Sequence, residues 1–207
     1  MNIRKEAKEH WDTVYADKSW EQVSWHQKAP EPSLTWIHGL ALAKDAHILD
    51  MGCGESYLID SLLQKGYTHI SAIDIAQEAL EKAKKRQASP AVDYLCADAA
   101  RLPHVSPVDV WHDRAVFHFL TQEKDQHAYL SALKQNLKPH GYVLLATFAP
   151  DGPLKCSGLE ICQYSTQDLQ SFLGPEFALI KEQRVDHTTP SGSVQKFNYA
   201  LFQFLPK

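Results

Sequence analysis

From residue 46 onward, short apolar runs alternate with amphipathic stretches. The runs at 46–51, 69–74, 92–96, 108–112 and 142–148 read as strands, the last apolar enough to be central in a sheet. Helical spacing lies between them. It occurs at 56–65, where Leu58, Ile59, Leu62 and Leu63 face inward, and at 77–87, with Ala79, Leu80 and Ala83. It returns from 115 and is strongest over 123–137. Gly66 ends the first helix, and Pro139-His140-Gly141 turns the chain into the fifth strand. A loop over 149–165, rich in Pro, Gly and Cys, precedes a short helix at 166–173 that Gly174-Pro175 breaks. Two long strand candidates close the chain, 177–187 and 195–204, and the turn between them is too short for a parallel crossover. The expected fold class is α/β, a mixed sheet with helices on both faces in a single domain.

The first 45 residues precede this alternation. Residues 3–16 have helical spacing, with Ile3, Ala7, Trp11, Val14 and Tyr15 near one face. Residues 20–32 should be mostly irregular, and Ser33 is placed to cap a helix carrying Leu34, Ile37, Leu40 and Leu42. So aromatic a segment is expected to pack over the sheet. The division is therefore a helical lid at 1–45 and a core at 46–207.

Composition narrows the function classes. A net charge of -4 argues against a nucleic-acid footprint, which needs clustered Lys and Arg. The basic run 82–86 reads as a solvated helix face, because Glu78 and Glu81 share its turns. Cys53, Cys96, Cys156 and Cys162 form no C-x-x-C pair, and no histidines stand at zinc-ligand spacing, so no metal is expected. Cys53 and Cys96 read as small fillers, and the other two as inert loop thiols. The N-terminus lacks the apolar core of a signal peptide, and no run approaches membrane-spanning length. A cytoplasmic monomer or homodimer is the expectation, with no membrane partner.

The chemistry centres on Asp50-Met-Gly52-Cys53-Gly54-Glu55-Ser56, a glycine turn after the first strand. A dinucleotide fingerprint needs a small residue three places after the second glycine, where this chain has Tyr57. No Gly-Lys-Ser/Thr follows, so a phosphate loop fails as well. The ligand is nucleoside-like without a diphosphate. Asp74 ends the second strand, placed to accept from both ribose hydroxyls. Asp98 follows the third strand, placed to accept from an adenine amino group or to cap the next turn. Asp50 could face an ammonium or cap the following helix. Three acids with no lysine among them suit a zwitterionic sulfonium.

On these residues the chain resembles the class I S-adenosylmethionine-dependent methyltransferases, from residue 46 to the end. The resemblance implies a Rossmann-like sheet of seven strands in order 3-2-1-4-5-7-6, with strand 7 antiparallel. It implies S-adenosylmethionine as cofactor and S-adenosylhomocysteine as product, and it adds Ser56, Ile75, Ala99 and Asp113 to the cofactor residues. A closer resemblance is to small bacterial methyltransferases. It rests on His10-Trp11-Asp12, Val23-Ser24-Trp25-His26-Gln27, Trp111-His112-Asp113-Arg114-Ala115-Val-Phe117-His118 and Ala146-Thr147-Phe148. Neither resemblance names the acceptor.

Other residues carry two readings each. Trp25 is apt for stacking or cation–π contact with a sulfonium. Arg114 either binds an anionic acceptor or pairs with Asp113. His118 and His112 are candidate general bases, and for His118 a packed, aromatic-neighbour histidine is the favoured reading. Tyr15, Gln27 and Cys156 are candidates for the acceptor side, with Tyr15 also explained by helix docking. His187 is expected at the surface. With no separate recognition domain, no Asn-Pro-Pro-Tyr segment and no basic surface, a small-molecule acceptor is expected. The alternatives are a protein lysine, or a regulator that binds the cofactor without turnover.

Overall fold

The structure is a computed structural model describing residues 3–206, with side chains from residue 5 onward; the expected inward position of Ile3 lies outside the described side chains. Two helices, α1 (Ile3–Asp17) and α2 (Ser33–Gly39), precede the sheet. Then come β1 (His47–Met51), α3 (Leu58–Gln64), β2 (His69–Asp74), α4 (Gln77–Arg86), β3 (Val92–Cys96), β4 (Val108–Arg114), α5 (Glu123–Asn136) and β5 (Leu137–Phe148). A two-stranded ribbon, β6 (Lys155–Cys156) and β7 (Leu159–Glu160), leads to α6 (Thr166–Leu173), β8 (Phe177–Thr188) and β9 (Val194–Phe204). The main sheet has seven strands in order β3-β2-β1-β4-β5-β9-β8. Its first five strands are parallel, and β9 runs antiparallel to both β5 and β8. This is the expected topology; the last two strands are eighth and ninth only because the ribbon intervenes. No helix of the described residues is long and apolar enough to cross a membrane.

Side-chain alternation explains why both sheet faces are covered. Ile48, Val110, Leu144, Ala146 and Tyr199 point to one face, under α2 and α3, with Trp36, Ile37, Leu58 and Leu62. Leu49, Trp111, Val143, Leu145 and Phe202 point to the other, under α5 and α6, with Tyr129, Leu133 and Leu169. Each such aliphatic side chain contributes about 1.5–3 kcal/mol when buried. Because Trp36 and Ile37 belong to this core, α2 is part of the helical layer; α1 lies against α4.

Several local expectations are corrected. Ser33 is the first residue of α2 and does not cap it; Pro32 holds the cap position. β5 starts at Leu137 rather than Tyr142, because Leu137 pairs with Val108 across a register irregularity. Helical geometry does not begin at 115. Ala115 has φ +68°, only a 3-10 turn (Phe117–Phe119) follows, and α5 starts at Glu123. The 149–165 loop contains the ribbon, turned by Ser157 and Gly158 at positive φ. His187 is buried, with its Nε2 2.7 Å from the Ser24 carbonyl, and Cys96 is exposed rather than core filler. The basic run on α4 is not simply solvated. Lys82 donates to the Tyr15 carbonyl, and Arg86 donates to the Ser56 carbonyl at 2.8 Å and to Asp60 at 3.0 Å.

Candidate active site

Parallel pairing brings the ends of β1, β2 and β4 to one edge of the sheet. Strand order reverses between β1 and β4, so the crossovers leave in opposite directions and a crevice opens there. The turn after β1 forms its floor. Gly52 and Gly54 have φ of +68° and +51°, the left-handed region. Space requires glycine too. A Cβ on Gly52 would stand 2.0 Å from Val116 Cγ2, and one on Gly54 2.5 Å from Tyr15 Oη. Cys53 between them is a buried filler whose N–H donates to the Ile73 carbonyl at 2.9 Å.

Asp74 ties this turn to the next helix. Its Oδ2 accepts from Gly54 N at 2.9 Å and its Oδ1 from Ala76 N at 2.9 Å. A structural need for the acid is thus present that its place at a strand end did not reveal. Each oxygen keeps a second lone pair, and the residue lines the main cavity. Burial pushes its pKa up to about 6, against the two amide hydrogen bonds.

Asp50 lies one strand over, also buried. Its Oδ1 is 2.7 Å from His112 Nδ1, and His112 Nε2 is 2.8 Å from Ser33 Oγ. Its Oδ2 is out of contact with solvent and has no hydrogen-bond partner among the described residues.

Two adjoining spaces result. The larger, about 320 Å³, is lined by Trp25, Gly52, Asp74, Ile75, Asp98 and Ala99, and also by Tyr15, Arg114 and Cys156. The smaller, about 30 Å³, is lined by Gln27, Ser33, Asp50, Gly54, Ser56 and His112. Trp25, Gly52 and Arg114 border both. Asp98 also caps the turn after β3, its Oδ1 accepting from Ala100 N at 3.0 Å.

Arg114 does not pair with Asp113. Its Nε donates to Tyr199 Oη at 2.9 Å, its Nη1 to the Trp25 carbonyl at 3.1 Å, and its guanidinium sits 4.7 Å over the Phe197 ring. Nη2 has no partner among the described residues.

Two expected site residues are placed elsewhere, lining neither space. Asp113 is fully buried, accepting from Val116 N, Phe117 N and, at 2.7 Å, Tyr129 Oη, so it holds the turn after β4. His118 is fully buried between Phe119 and Phe148, and its Nδ1 accepts from Phe148 N at 3.3 Å. Burial, then the nearby Arg114 charge, pushes its pKa down to about 3. That is the packed reading of this histidine. Cys156 is buried at the wall, and burial raises its thiol to about 11.

Part of the wall carries no signal in the sequence. Trp11 packs edge-on against Trp25 at 5.5 Å and Phe119 at 5.1 Å, closing the larger cavity with an aromatic face. Phe119 gave no signal beyond being apolar. Ser33 was masked by its likeness to a helix cap.

The acids, the glycine floor and the aromatic wall fit a nucleoside with a cationic end, and among the described residues lining the two spaces Arg114 is the one Lys or Arg, which is no cluster for a diphosphate. Residues 48–141 match the family model described as a methyltransferase domain. Over these residues the chain is similar to S-adenosylmethionine-dependent methyltransferase domains. The chain is 33% identical over 110 residues to the malonyl-[acyl-carrier protein] O-methyltransferase of Halalkalibacterium halodurans, across 50% of this chain and 40% of that protein. It is 29% identical over 117 residues to the ubiquinone biosynthesis O-methyltransferase of Paracidovorax citrulli, across 55% of this chain and 48% of that protein. The chain therefore spans about half the length of these curated relatives. Its fold matches the 1,6-didemethyltoxoflavin-N1-methyltransferase of Burkholderia thailandensis, solved with 1,6-didemethyltoxoflavin and S-adenosylhomocysteine. That match has a TM-score of 0.75 at 19% identity and covers 100% of this chain and 91% of that one.

Proposed function

We propose that this protein transfers the methyl group of S-adenosylmethionine to a small-molecule acceptor. The observation that carries the acceptor class is the walled cavity. Trp11, Trp25, Phe119, Arg114 and Cys156 line the same space as the nucleoside-facing acids, a pocket suited to a compact molecule. The relatives' names point the same way only in part, because one is named for malonyl-[acyl-carrier protein] while another was solved with 1,6-didemethyltoxoflavin bound.

In this reading Asp74 accepts from the ribose hydroxyls, while Asp98, Ala99 and Ile75 border the adenine. Gly52, Gly54 and Ser56 form the floor, and Asp50 Oδ2 receives the ammonium. When bound, the cofactor supplies an electrophilic methyl on a sulfonium. The chain's own task is to align and to exclude water. The Trp25 ring offers its π face to a cation, and the Trp11–Trp25–Phe119 cluster shields the reacting centre. Arg114 Nη2 offers the acceptor a donor, and Tyr15 and Gln27 border its approach. Cys156 is neutral at pH 7, so it is a wall residue rather than a competing nucleophile. His112, held between two partners, positions Asp50 rather than acting as a base.

Asp74 makes binding pH-dependent. Burial has raised its folded pKa above the ordinary 3.8 to about 6. Its contribution to stability is therefore full below the unfolded value and is lost as pH rises through about 6. Ligand hydroxyls favour the ionised form, so affinity should be level above about pH 6.5. It should fall towards tenfold per unit below pH 6, with protons released on binding near pH 6. A dissociation constant unchanged between pH 5 and 7 would move the ribose away from Asp74.

The acceptor class is tested by incubating the protein with methyl-labelled S-adenosylmethionine and carboxylate, thiol, phenol and amine panels, then with a cell lysate. Label is expected in a small, extractable product. Label confined to a protein band would support a protein acceptor instead. Tight cofactor binding without transfer in either arm would favour a regulator.

A further inference from the structure

We propose that Ser33 and His112 are positioning residues. The chain Ser33–His112–Asp50 holds the free oxygen of Asp50 for the amino-acid end of the cofactor, so that tight binding requires α2 to be seated. This rests on the cofactor reading above and adds two residues that act through Asp50.

The hydrogen-bond polarity follows from the chemistry. A carboxylate only accepts, so His112 Nδ1 carries the hydrogen at 2.7 Å from Asp50 Oδ1. In the neutral ring Nε2 then accepts from the Ser33 hydroxyl at 2.8 Å. Oδ1 is thereby committed, and Oδ2 is left without a partner in a residue that lines the smaller space. About 30 Å³ is room for one ammonium- or water-sized group. A serine, a histidine and an aspartate in this order also form hydrolytic triads. Here Ser33 is only 1% exposed and faces a space too small for an ester, so attack by its oxygen is ruled out and orientation remains.

The relay is also the point where the N-terminal segment reaches the acid. Ser24 and Trp25 are held through their carbonyls by His187 and Arg114, whereas Ser33 is joined by its side chain to the partner of Asp50, 79 residues away. Release of that contact leaves the carboxylate free to rotate about its side-chain bond.

The test is calorimetric titration with two probes, S-adenosylhomocysteine and 5′-deoxy-5′-methylthioadenosine, which lacks the amino-acid end. Ser33→Ala should weaken S-adenosylhomocysteine about tenfold and leave the methylthioadenosine constant within about twofold. Ser33→Thr, which keeps the hydroxyl, should restore binding, and Asp50→Asn should show the same selectivity as Ser33→Ala. If Ser33→Ala does not fold, His112→Phe fills similar space without either hydrogen bond and should show the tail-selective loss. Wild-type affinity in Ser33→Ala, or an equal loss for both probes, overturns the relay and leaves the cofactor reading standing. Failure of the wild type to bind either probe overturns that reading, and the relay with it.

Discussion

Gly52→Ala is expected to destabilise the protein by about 2–5 kcal/mol and to weaken S-adenosylmethionine binding roughly a hundredfold or more. Two costs add. An alanine at φ +68° sits in left-handed backbone, worth about 1–2 kcal/mol. Its Cβ would also stand 2.0 Å from Val116 Cγ2, an overlap that costs about 1–3 kcal/mol to relieve. Relief displaces Val116, itself a lining residue, into the cavity, so binding suffers more than stability. Val116→Ala in the same chain removes the overlap and keeps the backbone cost. The double variant should recover part of the binding and little of the backbone penalty. Thermal melts and titrations of the three proteins separate the two costs; wild-type affinity in Gly52→Ala would contradict this account of the floor.

Asp113→Ala is the second large effect, and it falls on stability. Three donors converge on this carboxylate: Val116 N, Phe117 N and Tyr129 Oη, the last also accepting from Trp111 Nε1 at 2.8 Å. Alanine leaves all three buried without an acceptor, a loss of about 3 kcal/mol or more. For a chain of this size that lowers Tm by about 6–12 °C. Asp113→Asn keeps one acceptor oxygen and should lose less. Burial raises the Asp113 pKa to about 6, so its contribution to stability is full below about pH 4 and lost as pH rises through 6. The Asp113→Ala deficit should accordingly be larger at pH 4.5 than at pH 7.5. A melting temperature within about 2 °C of wild type, the scale of a surface substitution, would show that the turn after β4 does not depend on this acid.

The fold was legible because its signals are local. Period-two and helical spacing mark the β/α units, and the short 188–194 connection forces the last pair antiparallel. Gly52, Asp74 and Asp98 were legible for the same reason, since each follows a strand that can be recognised on its own. What was not legible depends on partners distant in the chain. Ser33 looks like a cap until His112, 79 residues on, is seen beside it. His187 looks exposed on a terminal strand until Ser24, 163 residues away, covers it. Asp113 and His118 sit in the segment that carries the family likeness, yet β4 continues to Arg114 and Ala115 turns left-handed. Asp113 keeps the Trp111 face of β4 and so meets Tyr129, while the turn at Ala115 carries the chain on to a buried His118, and Arg114 is left at the cavity. No periodicity announces such a change of hand.

The central claim is that the crevice at Gly52 and Asp74 holds S-adenosylmethionine. Calorimetric titration of the wild-type protein tests it most directly. Saturable binding to a single site by S-adenosylmethionine and S-adenosylhomocysteine, lost in Gly52→Ala, is the predicted result; a folded wild-type protein that binds neither would contradict it.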